Sequence, residues 1–419
     1  MNSRNRNRVA IVGGARTPFA KMGTALKEYS SLALGTHSVD GALEKLDLEP
    51  AVVDQLVYGV VIVDPVIPHL AREINFRSRL PSTVQALTLT DNCISGTSAI
   101  ASIHDAIAAG RSSVGIAGGV ESMSNPPVLF NRRASRIFLD AAAARSWGAK
   151  ARALGRLRPR DFKPWSYGIA EPSTGLSMGE HTEITVKEWQ ISRAAQDQIA
   201  LRSHQNAHAA TQDGRLLSEI HPLGGVDRDQ LIRPDTSLEA LAKLPPVFDR
   251  SDAGTITAGN SSPLTDGAAS VVLMSERRAN ELRHEPLAFI KDFITVGIDP
   301  GDGLLMGPGV AVPRLLRKNG LTLDDIDIIE MHEAFGGQVA SNLEAWARGW
   351  KEPAIGAVNR EILNPLGSSI AVGHPFAATG ARIALTLASE LKRRDARYGL
   401  ISICGAGATA VAMLLERSY

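Results

Sequence analysis

Residues 91–100 read Asp-Asn-Cys-Ile-Ser-Gly-Thr-Ser-Ala-Ile, and the rest of the chain is organised around this stretch. A polar turn delivers Cys93 to the start of a helix of small residues, predicted to continue to about Ala109. A thiol in this position lies near unpaired backbone N–H groups and the positive end of the helix dipole. We therefore expect the pKa of Cys93 to fall below the ordinary value of about 8.5. On this stretch alone, a reactive cysteine and a buried, inert one are both open interpretations.

The composition is typical of an ordinary globular protein, with 44% of the 419 residues hydrophobic and 21% charged. A net charge of +1 argues against nucleic acid as the main partner, because no basic excess exists to bind phosphates. Only Cys93 and Cys404 are cysteines, which argues against a disulfide scaffold and for a reducing compartment. The first residues contain no hydrophobic signal core, and the last four carry no peroxisomal address. The expected location is the cytoplasm.

The chain contains an internal repeat, because four predicted strands of the first half have counterparts in the second. These apolar runs are typical of strands buried on both faces of a sheet. The predicted pairs are 8–14 with 287–293, 52–59 with 324–330, 113–118 with 400–404, and 266–274 with 407–415. Cys93 and His374 stand at the same point of the two α/β halves, a strand-to-helix turn. Open α/β folds bind ligands at such turns.

Between residues 122 and 250 the alternation of strands and helices breaks down, which indicates an inserted segment. A helix is predicted at 192–212. Residues 132–163 carry ten Arg or Lys but only two Asp, with apolar residues interleaved. A solvated surface helix, a site for an anionic ligand such as nucleotide phosphates, and contact with anionic lipid headgroups are all open interpretations.

Four short stretches carry residues suited to covalent catalysis: those around Cys93, His332, His374 and Cys404. His374 is flanked by Gly and Pro at a helix start, a poor place for core packing, and a neutral imidazole can accept a thiol proton. Glu333 is interpreted as offsetting a helix dipole rather than acting as a base. The glycine-rich turn after Cys404 leaves backbone N–H groups to bind an oxyanion. No short metal-ligand spacing occurs, which argues against zinc.

These residues lie at strand or helix ends on the same edge of two related halves. Face-to-face packing of the halves would bring Cys93, His332, His374 and Cys404 together. A nucleophile with a nearby base is the signature of covalent catalysis. A second cysteine beside glycines would supply another acid and base.

In this order the four stretches resemble the thiolases (3-ketoacyl-CoA thiolase and acetyl-CoA acetyltransferase), and the resemblance covers nearly the whole chain. His-Glu-Ala-Phe at 332–335, where many thiolases have Asn-Glu-Ala-Phe, is similar to the β-subunit branch of the fatty-acid oxidation trifunctional complex. The resemblance implies an α/β fold, a duplicated αβαβα layered sandwich with an inserted loop domain. The implied domains are 1–121 with 251–283 as the N-terminal half, 122–250 as the loop domain covering CoA, and 284–419 as the C-terminal half.

The resemblance also implies catalytic roles. Cys93, activated by His374, attacks the 3-keto carbon and takes the acyl group. Cys404 protonates the departing acetyl-CoA enolate and then deprotonates the incoming CoA. His374, with His332 directly or through a water, stabilises the enolate oxygen.

Binding roles are implied in the same way. The backbone N–H groups of Cys93 and Ala406 would hold the tetrahedral oxyanion, Ser262 would contact pantetheine, and Met178 would line the acyl pocket. Coenzyme A is a substrate, and no metal or redox cofactor is implied. Two positions depart from the family: Cys-Gly-Ala-Gly at 404–407, and Ser368 where a second glycine is usual.

The implied function is ping-pong, CoA-dependent cleavage of 3-ketoacyl-CoA in fatty-acid β-oxidation. A biosynthetic acetyl-CoA acetyltransferase and a non-catalytic acyl-CoA- or lipid-binding protein on the same fold are the alternatives. The candidate partners are a second copy in a homodimer or homotetramer, a hydratase/dehydrogenase α-subunit, and a membrane surface contacted through 132–163. No nucleic acid is expected.

Overall fold

The computed structural model describes residues 8–164 and 170–417. Residues 1–7 and 418–419, on which part of the expectation about targeting segments rested, lie outside the described residues. Within them the strands are β1 (Val9–Arg16), β2 (Ala20–Lys21), β3 (Gln55–Val60), β4 (Gln85–Leu89), β5 (Val114–Glu121), β6 (Thr265–Ser275), β7 (Ala288–Gly297), β8 (Ile328–Met331), β9 (Tyr398–Gly405) and β10 (Thr409–Glu416). The α-helices are α1 (Ser31–Lys45), α2 (Leu70–Arg77), α3 (Ser95–Ala108), α4 (Arg132–Ala143), α5 (Trp147–Leu154), α6 (Met178–Glu188), α7 (Arg193–Gln212), α8 (Leu238–Ala242), α9 (Glu276–Glu281), α10 (Pro308–Asn319), α11 (Gly336–Arg348), α12 (Ser369–Val372) and α13 (Thr379–Arg394).

The strand order confirms the internal repeat. In the first half β1 pairs with β6 and β6 with β5, both antiparallel, and β5 pairs with β3 in parallel. In the second half β7, β10, β9 and β8 follow the same order with the same directions. The first half carries one further strand, β4, parallel to β3. The four predicted strand pairs are therefore confirmed as four equivalent positions.

The two halves are joined edge to edge within the sheet and face to face through their central helices. Strand β1 pairs with β7 at Ala10↔Phe289 and Ile11↔Ala288. Helices α3 and α13 pack against one another where two glycines face the opposite backbone. A Cβ atom on Gly380 would lie 2.5 Å from the backbone nitrogen of Thr97, and one on Gly96 would lie 2.7 Å from that of Ala381. Only glycine permits this close approach.

Alternate residues of each strand face different layers, as the two-residue period of a strand requires. In β10, Val411 and Met413 belong to the core cluster that contains residues of α3 and α13, whereas Ala412 and Leu414 belong to the one that contains residues of α10. On the other side of the first half, α1 packs on β1 and β6. The layers therefore run helix, sheet, helix, sheet, helix, as predicted.

The inserted segment, residues 122–250, is divided between two compact units. Contacts group Ile62–Pro68 with Pro126–Ile169 as a smaller unit, of which 165–169 are outside the described residues. Helices α6 and α7 belong instead to the larger unit, where they pack on α11. The domain boundaries at 121, 250 and 283 stay a prediction.

In the smaller unit α4 and α5 pack on each other, and several apolar side chains stay exposed. Trp147 is 87% exposed and Leu139 is 70% exposed. Among the described residues, no helix combines the length and the apolar character needed to cross a membrane.

Candidate active site

Cys93 lies on a single 3-10 turn, Asn92–Ile94, which leads directly into α3. Asn92 adopts a left-handed backbone conformation with φ of +48°. Its side-chain amide donates a 2.9 Å hydrogen bond to the carbonyl oxygen of Ala406. The turn that carries Cys93 is thus tied to the turn that follows β9.

His374 lies in the loop between α12 and α13, with its ring against Cys93. Its Nε2 atom is 3.3 Å from the Cys93 Sγ atom, and its Nδ1 atom is 2.6 Å from the Thr379 Oγ1 atom. Its backbone N–H donates to the Thr265 hydroxyl at 3.0 Å. The imidazole is therefore held from two sides and presents one nitrogen to the thiol.

His332 follows β8 and packs on His374, with ring centroids 4.1 Å apart and planes inclined by 42°. Its Nδ1 atom is 2.7 Å from the Ser369 Oγ atom. Its Nε2 atom is buried and has no hydrogen-bond partner among the residues that the structure describes. A buried ring nitrogen without a partner is a group left available for a ligand.

Cys404 lies near the end of β9, in an apolar cluster that includes Phe335, with Met178 packed against the cluster. A negative charge on Cys93 would raise the pKa of Cys404, so the two sulfurs are close enough to interact electrostatically. Ser262 donates its backbone N–H to the carbonyl of Ala334 at 2.9 Å, beside the loop of His332.

Two backbone N–H groups are directed at the Cys93 sulfur, those of Cys93 itself and of Ala406. The turn after Ala406 is held by Glu171, a buried residue whose carboxylate accepts the N–H of Gly407 at 2.8 Å. Pairs of converging N–H groups of this kind bind oxyanions. The alanine at 406 therefore does not remove the donor that a glycine would supply.

Burial sets the charge of the site. It raises the pKa of Cys93 to about 12, helped by the negative charge of Glu121 and opposed by the two N–H groups. Burial lowers the pKa of His374 to about 3, and the positive charge of Arg382 lowers it further. The pKa of Cys404 lies well above its ordinary value for the same reason. Burial therefore favours the neutral forms of the two thiols and the imidazole.

The prediction of a lowered pKa for Cys93 is wrong. The residue precedes the α-helix on a separate turn, and the loss of water around its sulfur outweighs the nearby backbone dipoles. The helix dipole follows from local sequence, whereas desolvation of the thiol depends on tertiary packing.

Glu333 is a buried structural group rather than a base for the thiols. Its carboxylate accepts hydrogen bonds from Ser203 at 2.6 Å and Asn364 at 2.7 Å. It also accepts the N–H of Ile370 in α12 at 3.3 Å. It ties α7 and α12 to the loop that carries His332.

A metal ion has candidate ligands here. The donor atoms of Cys93, His332 and His374 all lie within 4.8 Å of one another. This donor set suits zinc chemically. The expectation of a metal-free reaction therefore stays a prediction. These three residues are far apart in the sequence, and tertiary packing brings them together.

Sequence reasoning missed the groups that hold the histidines. Thr379 and Ser369 contact the Nδ1 atoms of the two rings, and the buried Arg382 donates to Ser369 at 3.4 Å. Hydroxyl residues in helices are common and carry no spacing signature. The only signal was their place beside the glycines of the His374 stretch.

Comparisons with known proteins find similarity along almost the whole chain. Two family models match: "Thiolase, N-terminal domain" over residues 9–277 and "Thiolase, C-terminal domain" over residues 284–417. A 3-ketoacyl-CoA thiolase of Colwellia psychrerythraea is 40% identical over 422 residues, covering 98% of this chain and 97% of the relative. One of Aeromonas salmonicida is 41% identical over 429 residues, covering 99% and 98%.

Solved structures are similar over almost their full length. The acetyl-CoA acetyltransferase of Bacillus anthracis superposes with a TM-score of 0.86 and is 32% identical, covering 99% of this chain and 100% of that one. Human mitochondrial 3-ketoacyl-CoA thiolase in complex with CoA superposes with a TM-score of 0.84 and is 29% identical, covering 99% and 98%.

Proposed function

The chain belongs to the thiolase family of acyltransferases, and we propose that it cleaves 3-ketoacyl-CoA with CoA to give acetyl-CoA and a shortened acyl-CoA in β-oxidation. The observation that carries the proposal is the 3.3 Å approach of His374 Nε2 to Cys93 Sγ, with a second thiol, Cys404, in the strand that precedes the Ala406 turn. The relatives named 3-ketoacyl-CoA thiolase support the direction of the reaction.

In the first half-reaction the Cys93 sulfur attacks the 3-keto carbon while its proton passes to His374 Nε2. The oxyanion that forms is bound by the N–H groups of Cys93 and Ala406. As the carbon–carbon bond breaks, the acyl group stays on Cys93 as a thioester and acetyl-CoA leaves as its enolate. Protonated His374 and the Nε2 atom of His332 face the enolate oxygen, and the Cys404 thiol gives its proton to the enolate carbon.

In the second half-reaction the Cys404 thiolate takes the proton of the incoming CoA thiol. The CoA sulfur attacks the thioester, and the same N–H groups bind the second oxyanion. Cys93 leaves and recovers its proton from His374, which restores the neutral site. A high pKa for Cys404 suits both steps, because the group must give a proton to carbon and then take one from a thiol.

Substrate recognition is assigned to the apolar cluster around Cys404. Met178 and Phe248 pack against that cluster, and the rings of Phe248 and Phe335 meet edge to face at 5.8 Å. Met178 would contact the acyl chain and Ser262 the pantetheine of CoA. We propose that CoA is a substrate and that no other cofactor takes part.

The experiment is thiolysis of a chain-length series of 3-ketoacyl-CoA substrates, followed by loss of the keto-enolate absorbance. A β-oxidation enzyme should gain kcat/KM with chain length, since each buried CH₂ contributes about 0.8 kcal/mol. Activity confined to acetoacetyl-CoA would instead favour the biosynthetic acetyltransferase, the alternative supported by the Bacillus anthracis structure. Binding of acyl-CoA without turnover would leave the non-catalytic alternative.

Metal independence is tested by the same assay. Activity should persist after exhaustive chelation and dialysis. Loss of activity that zinc restores would mean that Cys93, His332 and His374 serve as ligands.

We propose a homodimer or homotetramer. Strand β4 pairs with β3 on one side, and no strand of the described residues covers its other edge. Leu87 in this strand is 43% exposed. An uncovered strand edge with an exposed apolar side chain favours pairing with a second copy. The similarity of His332 and its neighbours to the trifunctional branch makes a hydratase/dehydrogenase α-subunit the second candidate partner.

The smaller unit is our candidate for membrane contact. Its stretch 132–163 combines ten basic residues with exposed Leu139 and Trp147. Basic, partly apolar helices bind anionic membranes. Co-sedimentation with phosphatidylglycerol vesicles should exceed that with phosphatidylcholine vesicles and fall in Trp147→Ser. Equal sedimentation would favour a solvated surface or a free anionic ligand.

Both cysteines are free thiols, and the mechanism requires both in that form. We therefore propose a reducing compartment, the cytoplasm, as the location. We also propose 122–250 as the segment that covers CoA, with the two halves at 1–121 plus 251–283 and at 284–419.

A further inference from the structure

The two stacked histidines contact hydroxyl groups through their Nδ1 atoms, and each hydroxyl has a different second neighbour. Thr379 Oγ1 is 2.6 Å from His374 Nδ1 and 3.2 Å from the carbonyl oxygen of Pro375. Ser369 Oγ is 2.7 Å from His332 Nδ1 and 3.4 Å from the Arg382 Nη2 atom. The second neighbours are of opposite kinds, an acceptor beside Thr379 and a donor beside Ser369.

A hydroxyl has one proton to donate, so its second neighbour decides where that proton goes. The carbonyl of Pro375 can only accept, so both contacts of the Thr379 hydroxyl are hydrogen bonds when it donates to that carbonyl and accepts from the His374 Nδ1–H group. The remaining nitrogen of His374, Nε2, then carries a lone pair toward the Cys93 thiol. This is the tautomer that a base requires.

Arg382 can only donate, so the Ser369 oxygen accepts from it and the Ser369 proton is left for His332 Nδ1. Among the residues that the structure describes, the Ser369 hydroxyl has these two side-chain contacts and no other acceptor. His332 must then carry its own proton on Nε2, the buried atom without a partner. With the proton on Nδ1 instead, both the Ser369 hydroxyl proton and the His332 Nε2 lone pair would lack a partner, whereas this arrangement leaves only the Nε2–H group unpaired.

We propose that Ser369, oriented by Arg382, is a positioning residue that fixes His332 as its Nε2–H tautomer. The two rings then hold opposite tautomers at the substrate, His374 as a proton acceptor and His332 as a neutral hydrogen-bond donor. The proposal deepens the proposed function and rests on it, because the donor would serve the enolate oxygen of the departing acetyl-CoA.

The neutral form of His332 fits this role. Burial lowers its pKa well below the ordinary value, and His374 and Arg382 lower it further. A neutral imidazole donates only through the nitrogen that carries its proton, so the tautomer decides whether a donor is present at all. Arg382 is itself buried, with Glu330 3.6 Å from its Nη1 atom.

The direct test is two-dimensional NMR of the whole protein labelled with ¹⁵N-histidine. His332 is assigned by the signals that His332→Asn removes. We expect a protonated Nε2 and an unprotonated Nδ1 in the unliganded protein. A protonated Nδ1 on His332 would overturn the proposal. This readout does not depend on turnover, so a protein that failed to cleave 3-ketoacyl-CoA would refute the proposed function and leave the tautomer measured.

The kinetic test compares two neighbouring serines that contact the same guanidinium. Ser369→Ala should lower kcat by about tenfold with KM within about twofold, less than the roughly 10²–10³-fold typical of losing an oxyanion donor completely. The Ser368 hydroxyl lies 3.1 Å from Arg382, but it does not hydrogen-bond to His332. Ser368→Ala should therefore change kcat by less than about twofold. Equal losses in both variants would mean a general packing effect and would contradict the assignment.

A double-mutant cycle distinguishes an effect of Ser369 through His332 from a general structural effect of the Ser369→Ala substitution. In a His332→Asn background the side-chain amide donates without any tautomer to fix. Ser369→Ala should therefore have no further effect on kcat there. The same loss in both backgrounds would show that Ser369 does not act through His332.

Discussion

The chemistry of the site depends on burial that leaves Cys93 and His374 uncharged. The pKa of the thiol is raised to about 12 and that of the imidazole is lowered to about 3, so a thiolate–imidazolium pair is disfavoured before substrate binds. The proton must then move as the carbonyl is attacked. The proposed oxyanion donors, rather than a preformed thiolate, would then stabilise the charge that develops on the carbonyl oxygen.

This neutral state has a measurable pH dependence. Only the thiolate is alkylated, and below its pKa the thiolate fraction rises tenfold for each pH unit. Because the pKa of Cys93 is raised, the rate of its alkylation by iodoacetamide should climb from pH 6 to pH 10 without a plateau. A plateau centred near pH 7 would show the ion pair that the buried site argues against.

A second measurement should distinguish the proposed role of Cys404 from that of Cys93. Cys404→Ala removes the proposed acid and base for the α-carbon, so exchange of acetyl-CoA α-protons with deuterated solvent and thiolysis should both fall, by roughly 10²–10⁴-fold. Alkylation of Cys93 should stay within about twofold of wild type. Exchange that survives in this variant would assign the acid and base to another group.

The sequence predicted these side chains as site residues because each lies in a short stretch of unusual residues. The structure brings Cys93, His332 and His374 within reach of one another. The sequence did not reveal the direction of the Cys93 pKa shift, nor the contacts of Ser369 with His332 and Arg382. Both depend on which groups tertiary packing removes from water.

Among the helices, α3 and α13 decide how closely the two halves approach, and their contact depends on two glycines. Gly380→Ala should destabilise the fold by about 1–3 kcal/mol, because its Cβ would lie 2.5 Å from a backbone nitrogen that cannot easily move. The measurement is the midpoint of urea unfolding. Gly148→Ala in α5 is the control, since nothing lies within 4 Å of that position. Equal midpoints for the two variants would contradict the packing argument.

Strands and helices with a strong period were predictable, and those held by tertiary contacts were not. The predicted helix at 192–212 corresponds to α7 (Arg193–Gln212). The first part of α1 has no clear helical period in the sequence, because residues 31–40 mix Ser, Thr, His and Gly with a few apolar residues. That segment is helical because Leu34 and Val39 are buried where α1 packs on β1 and β6.

For the molecule as a whole, the duplication was predictable but the joining of its halves through β1 and β7 was not. Both strands read as ordinary apolar runs, and nothing in such a run specifies its neighbour. The exposed edge of β4 was equally unpredictable, because the sequence does not specify what would cover that edge.

The assembly prediction concerns that edge. The wild-type chain should sediment as a dimer or tetramer of the 44.6 kDa chain. Leu87→Asp should shift it toward monomer, because a charge would be buried at the interface. Leu139→Asp, which changes an equally apolar but 70% exposed side chain on α4, should leave the assembly unchanged. A wild-type monomer, or the same shift in both variants, would contradict the use of β4.

The most direct test of the mechanism is mass spectrometry of the protein mixed with a 3-ketoacyl-CoA in the absence of free CoA. We predict an acyl adduct of the shortened chain, mapped by peptide digestion to Cys93, that disappears when CoA is added and is absent in Cys93→Ser. An adduct on Cys404 or another residue, or turnover by Cys93→Ser at the wild-type rate, would contradict the account.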